Sequence, residues 1–531
     1  MSRTMWAILG AVAVIAVGIA IWVASASGGG TTSLEPTRPN VLWIVWDTVR
    51  SDRLTPYDET RQTTPKLAEW AQGARVYEDV VSTAHSTLPS HASMFTGLTA
   101  TQHNTHYAHP RLDDRYDTLA ELLKGVGYDT YLYSANPHVS EQTNLHQGFD
   151  VVQHPWDSDR MSEAIEIVRA KVAEDHGSGV AAALEGQVRS WAIKATGELA
   201  QPALLRWLEG REGDAPYFAF LNYMEAHRQY VPARAYRERF MNAEQVSRSY
   251  EIDQSWLTVW KYVFGLHEYS EGDMELIAAT YDATLAELDD LFANLLEALR
   301  EQGALENTIV ILTADHGEHL GEHHLVDHQF TLFEEVLRVP LIVHYPARFE
   351  PGRDDSPVSN GDVFPTVLAL AGAQAPELPS PMRNLLDPDP GRIRFAEHPV
   401  PHMPPINLVR RAIPTANVST MAVSMCAIYQ GDRKLLYREG LDNWVFDVSA
   451  DPRETAPLQS EEIESALVAQ LGRFLQRYPA LPPEEAPELP EELEEVELER
   501  LRALGYADDP DAGTTDEEPA PEDSEGDDAI D

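Results

Sequence analysis

The stretch NVLWIVWD, Asn40 to Asp47, restricts the folds open to this chain more than any other feature. It is apolar from Val41 to Trp46 and lacks the alternation of a strand with one wet face. Such a strand must be covered on both sides, as in the parallel sheets of α/β proteins. YFAFLNYMEAH, ENTIVILTADHGE and RVPLIVHYP are runs of the same kind. Between them, DTLAELLKGVGYDTYLYSA reads as helix, glycine turn and strand, and GDVFPTVLALAG reads as helix. MELIAATYDATLAELDDLFANLLEALREQG has the three-to-four spacing of a long amphipathic helix. Strands alternating with helices predict an α/β fold, a large mixed and mostly parallel sheet flanked by helices. Beyond Pro376 prolines are denser and runs shorter, and DRKLLYREG and NWVFDVSADP predict strands of a smaller antiparallel α+β subdomain.

The two ends read differently. The run from Met5 to Ala24 carries no charge, and its length is about the ~20 residues that span a bilayer. Arg3 ahead of it favours a cytoplasmic N-terminus. The segment therefore reads as a membrane anchor or, because ASAS follows it, a cleaved signal. Either reading exports the bulk of the chain, anchored on the outer face of the cytoplasmic membrane or secreted. The expected organisation is an N-terminal segment over 1–25, a linker over 26–38, a catalytic domain over 39–375, a smaller subdomain with a terminal helix over 376–506, and an acidic tail over 507–531. The formal charge of −46 disfavours nucleic acid as a partner. From Leu481 onward the many acidic residues face only Arg500 and Arg502. With one cysteine, Cys426, the chain can form neither an internal disulfide nor a cysteine metal cluster.

Asp47 and Asp315 lie far apart in the chain, yet each follows an apolar strand. Ligands of open α/β sheets bind beyond the carboxyl ends of strands. Two carboxylates there, with His316 beside the second, suit a divalent cation. TADHGEHLGEHHLVDH concentrates histidines with acids in one short run: His316, His319, His323, His324 and His328. In STLPSHASMFTG, Pro89 fits the first position of a helix, which places Thr87 at the helix entrance, where free N–H groups favour an anion. Metal ligands, a hydroxyl and an anion-binding helix end together describe attack on a tetrahedral oxyanion ester, phosphate or sulfate.

These segments resemble the sulfatase branch of the alkaline phosphatase superfamily. RPNVLWIVWDTVRSD, TLPSHASMFTGL, TLAELLKGVGYDT, ENTIVILTADHGEHLGEH, LFEEVLRVPLIVHYP, VFDVSADPRETAPL and LRALGY carry the resemblance, in the family's order, from about Pro39 to Tyr506. It implies a large α/β sandwich with a smaller C-terminal subdomain. It implies metal ligation by Asp47, Thr87, Asp315 and His316, and a nucleophile at Thr87. His227 and His328 stand as leaving-group acid or oxyanion donor, and His91, His138 and His227 as substrate-binding residues.

The departures shape the expected activity. Sulfatases convert a Cys or Ser to formylglycine at the position of Thr87, and threonine cannot form that aldehyde. The family's following arginine is His91, the second acid of its Asp-Asp pair is Thr48, and its Lys-Trp-His segment is replaced by SANPHVS. Asp47, Thr87, Asp315 and His316 resemble the single-metal set of relatives that phosphorylate a metal-bound threonine. Tyr223 occupies a position where a second metal would need an acid, so one divalent ion (Zn, Mn or Ca) is expected, and a second only if His328 and its neighbours supply ligands. The expectation is an exported hydrolase of phosphate mono- or diesters acting on a small-molecule, glycan or lipid ester. The alternatives are a sulfatase without formylglycine, a phosphoryl transferase to an envelope lipid or glycan, and an inactive tethered anion-binding protein.

Overall fold

The computed structural model describes residues 38–173, 187–401, 403–414 and 416–481. Its main sheet has eight strands: β1 (Asn40–Trp46), β2 (Arg75–Tyr77), β3 (Asp129–Ser134), β4 (Val151–Gln153), β5 (Tyr217–Tyr223), β6 (Thr308–Thr313), β7 (Leu341–His344) and β8 (Gly352–Asp354). The spatial order is β8-β2-β7-β6-β1-β5-β3-β4. All pairings are parallel except those of β7, which runs against both β6 and β2. The sheet is thus mixed and mostly parallel, as the apolar runs require. NVLWIVWD supplies its central strand, with Val41 to Trp46 all buried.

Register places the site. β1 lies between β5 and β6, with Trp46 opposite Tyr223 and Val45 opposite Thr313. Asp47 and Asp315 therefore leave the same edge of the sheet on adjacent strands. The helix α1 (Thr87–Thr96) is seated there on an aromatic cluster: Phe95 meets Phe220 at 4.8 Å and Trp43 at 6.2 Å between ring centroids, edge to face in both cases. Such pairs add about 0.5–1.5 kcal/mol each beyond area burial. α1 stops at Gly97, whose φ of 68° is left-handed and whose N–H returns to Ser93 O at 2.8 Å.

The 31-residue helix α2 (Glu271–Glu301) covers the sheet with a buried stripe at three-to-four spacing: Ile277, Tyr281, Leu285, Leu288, Phe292, Leu295 and Leu299. Ser270 caps it by accepting the Asp273 N–H. Helix α3 (Val363–Ala371) follows β8. The C-terminal subdomain is an antiparallel sheet, β9 (Ile393–His398), β10 (Met425–Gln430), β11 (Arg433–Arg438) and β12 (Trp444–Asp447), in sequence order. Helix α4 (Glu461–Arg477) packs on it through Leu467, Leu471 and Phe474. Cys426 is half-buried in β10. Among the described residues no helix is long and apolar enough to cross a membrane. The segment 1–25, nearly all of the linker, the end of the subdomain beyond Leu481 and the tail over 507–531 lie outside the described residues.

Candidate active site

Asp47 sits one residue past β1, where the chain turns sharply through Thr48. Thr48 has φ 59°, an outlier for a β-branched residue. It is held from both sides: its N–H donates to Asp315 Oδ1 at 3.2 Å, and its carbonyl accepts the Tyr281 hydroxyl at 2.8 Å. Strain retained by such flanking bonds is a feature of functional sites. Asp315 is gripped through its own carbonyl, which accepts Ser90 Oγ at 2.8 Å, Asn360 Nδ2 at 3.2 Å and the Ser82 hydroxyl. Ser90 belongs to α1, so one hydrogen bond fixes the Thr87 helix relative to the second carboxylate.

α1 begins two residues earlier than Pro89 suggested. Thr87 is its first residue, Ser86 is the N-cap, and Pro89 is third. Pro89 lacks an N–H but occupies one of the orphan positions, so the early start costs no bond. The Ser86 side chain makes no capping bond, which leaves the first turn's N–H groups and the positive end of the dipole to a ligand.

Thr87 Oγ1 receives a hydrogen bond from Asn136 Nδ2 at 3.2 Å and lies 3.4 Å from His316 Nε2. The same Asn136 amide donates to Asp47 Oδ2 at 2.8 Å. His316 directs Nδ1 to Gly317 O at 3.0 Å, which turns Nε2 toward Thr87 and toward Asp315 Oδ2 at 3.3 Å. Asp47, Asp315 and His316 offer ligand atoms within 4.8 Å of one another, and all are buried. Asp47 Oδ1 and Asp315 Oδ2 accept no hydrogen bond from the described residues. Two buried, under-bonded carboxylates beside an imidazole lone pair are what a divalent cation satisfies. Burial lifts the Asp47 carboxyl to about 6. Burial, together with the Asp47 charge, lifts that of Asp315 well above the usual range. His316 is held far below an ordinary histidine by burial, and so stays a neutral ligand.

The other expected residues lie nearby, each in its own setting. His91, one turn along α1, donates from Nδ1 to Thr87 O at 3.0 Å and lies 3.5 Å from Asp315 Oδ2. Its ring is wedged against Phe95 and Phe220, and burial lowers it to about 3. It braces the first turn of α1 from beneath. His138 follows Asn136 in the loop after β3, edge-on to Tyr107 at 5.5 Å. His227 directs Nδ1 to Arg228 O at 2.8 Å, stands 5.3 Å from the His328 ring, and is kept neutral by burial. His328 lies 4.3 Å from the His316 ring. Burial works against its charge, but Asp327 at 2.9 Å and Glu318 at 3.3 Å outweigh it and raise His328 to about 10.

Glu318, Asp327 and His328 form a second set of ligand atoms within 4.8 Å, the neighbours that His328 would need for another metal. Here Arg228 already answers Asp327 at 3.1 Å while its guanidinium stacks over Trp256. Asn136, Ser90, Asn360 and Tyr281 were not signalled by spacing. The one signal for Asn136 in the sequence is its place just after the apolar strand that ends at Ser134.

The sulfatase family profile, described as Sulfatase, matches residues 39–373. The chain belongs to the sulfatase family. The multifunctional alkaline phosphatase superfamily protein PehA of Trinickia caryophylli is 25% identical over 492 residues, covering 81% of this chain and 93% of that one. An N-acetylglucosamine-6-O-sulfatase of Bacteroides thetaiotaomicron is 24% identical over 416 residues, 64% of this chain and 69% of its own. In fold, the phosphonate monoester hydrolase of Agrobacterium radiobacter superposes with a TM-score of 0.61 at 18% identity, over 83% of this chain and 95% of that one. The protein is an ester hydrolase of the alkaline phosphatase superfamily, and its buried Asp-Asp-His cluster suits the divalent metal that sulfatases carry.

Proposed function

We propose that this sulfatase-family protein hydrolyses phosphate mono- or diesters with Thr87 as nucleophile. The observation that carries the reading is the placement of Thr87 Oγ1, between Asn136 and His316 at the mouth of the Asp47–Asp315 pair. Asp47, Asp315 and His316, with the Thr87 hydroxyl, would hold one divalent ion; a histidine ligand favours Zn or Mn over Ca. When bound, that ion supplies Lewis-acid polarisation and lowers the pKa of a coordinated hydroxyl.

The chain's own groups do the rest. Asn136 donates to Oγ1 and fixes the hydroxyl 3.4 Å from His316 Nε2. Because the one lone pair of neutral His316 would be held by the ion, the hydroxyl proton passes to solvent. Thr87 attacks phosphorus and the ester oxygen leaves opposite. The first-turn N–H groups of α1 face the oxyanion. His328, cationic at neutral pH, is the acid for the leaving oxygen, and neutral His227 orients beside it. Water then cleaves the phosphothreonine.

Export, and membrane attachment through Met5–Ala24, belong to the same proposal and rest on that uncharged run. The test is turnover of an aryl phosphate, a phosphodiester and an aryl sulfate side by side, with Thr87→Ala as control. Phosphoester turnover that falls at least about a thousandfold in the variant is expected. Unchanged turnover in Thr87→Ala, or turnover of the sulfate alone, would overturn it.

A further inference from the structure

We propose that an apolar groove on the catalytic domain is the docking site for the chain's own C-terminal segment Leu498–Tyr506. The groove, about 760 Å³, is lined by Leu98, Tyr116, Phe364, Pro365, Leu378 and Met382. It joins the end of α1 to α3 and to the loop that leads into the C-terminal subdomain. Leu378 is 38% exposed, one of the few large hydrophobics so exposed among the described residues. Leu98, Tyr116, Phe364 and Met382 beneath it are buried, so a segment laid in the groove would cover Leu378 and complete that packing.

The path of the chain selects the occupant. The last described residue, Leu481, itself lines the groove and packs on the large core. The polypeptide is thus delivered to the groove. The sequence continues through a proline- and glutamate-rich stretch to VELERLRALGY. Leu498, Leu501 and Leu504 recur at every third position, the spacing of one helical stripe, before Gly505 and Tyr506. The stretch between Leu481 and Leu498 is long enough for the chain to turn back on itself. Tethering of this kind presents the segment to the groove at an effective concentration of roughly millimolar. A second copy of the chain is a weaker occupant, because each copy carries a net charge of −46. LRALGY plays no part in the proposed reaction, and this contact gives it one: closing the core behind the Thr87 helix.

The experiment uses the full chain with Leu378→Cys and Leu504→Cys in a Cys426→Ser background, under mild oxidation. A disulfide within one chain, seen as a linked peptide at monomer mass, is expected. A disulfide between chains would assign the groove to a second copy and overturn the proposal. So would two maleimide-reactive thiols that never join. Independently, Leu501→Asp is expected to speed amide exchange across Val363–Ala371 by about tenfold, and unchanged exchange there would also refute it.

Discussion

Replacing Asp47 with Asn separates the electrostatic cost of the site from its function. In the metal-stripped protein Asp47 is fully buried, and its carboxyl rises from 3.8 to about 6. Its folded-state proton is held more tightly than the unfolded one. The stability this gives is present in full below about pH 4 and lost as pH rises through about 6. The shift converts to about 3 kcal/mol at ~1.4 kcal/mol per pH unit. Asn136 and the loop after β1 bear that cost at neutral pH. Asp47→Asn removes it. The chelated variant should melt at about the wild-type temperature near pH 4. By pH 7 it should melt above it by ~3–6 °C, less per kcal/mol than the ~2–4 °C of smaller domains because this folded unit is larger. Metal should close the gap at a hundred times Kd, where it adds ~2.7 kcal/mol to the wild type only, and reverse the order at a thousand times Kd, where it adds ~4.1 kcal/mol. The assay is differential scanning calorimetry from pH 4 to 8, with chelator and with added Zn or Mn. Many carboxylates of this acidic chain titrate in that window, but they cancel in the difference. A difference in Tm that stays flat with pH, or an equal metal response in both proteins, would refute the electrostatic reasoning.

Other expectations follow from single contacts. Asn136→Ala loses the amide shared by Asp47 and Thr87. It should weaken metal binding or turnover by ~10–100-fold, read by metal titration and steady-state kinetics. His328→Gln should cost ~10²–10⁴ on an alkyl ester and far less on a nitrophenyl ester, because the better leaving group needs no acid. Equal losses on both esters would remove His328 from that role. Gly317→Ala places a Cβ 2.1 Å from Glu335 O. It should destabilise the protein by ~1–3 kcal/mol or more and displace His316, seen in thermal melts and in metal affinity.

Much of the fold was legible because burial on both faces leaves a mark that needs no partner. The runs ending at Asp47 and Asp315 fit only interior strands of a covered sheet, and 3.6-residue spacing exposed α2. The antiparallel course of β7 was not legible, since RVPLIVHYP is apolar whichever way it runs, and direction is set by the connection and by β2. The candidate ligand residues could be singled out because Asp-His at a strand end is chemically pointed. Asn136, Ser90, Asn360 and Tyr281 carry no such mark, because asparagine, serine and tyrosine serve in loops and helices of every kind.

The amino-acid sequence alone determined the class of sheet, the family, and the acid, histidine and hydroxyl available for chemistry. Tertiary structure decided what those groups are to one another. Parallel pairing of β1 with β6 brings together carboxylates from distant parts of the chain. Enclosure and the Asp47 charge raise Asp315, while the charges of Asp327 and Glu318 raise His328 against its burial, so that a carboxyl holds its proton more readily while a histidine stays charged. The physical reason is that a pKa, a hydrogen bond and a metal site belong to the space between side chains, and that space exists only once the chain has closed around it.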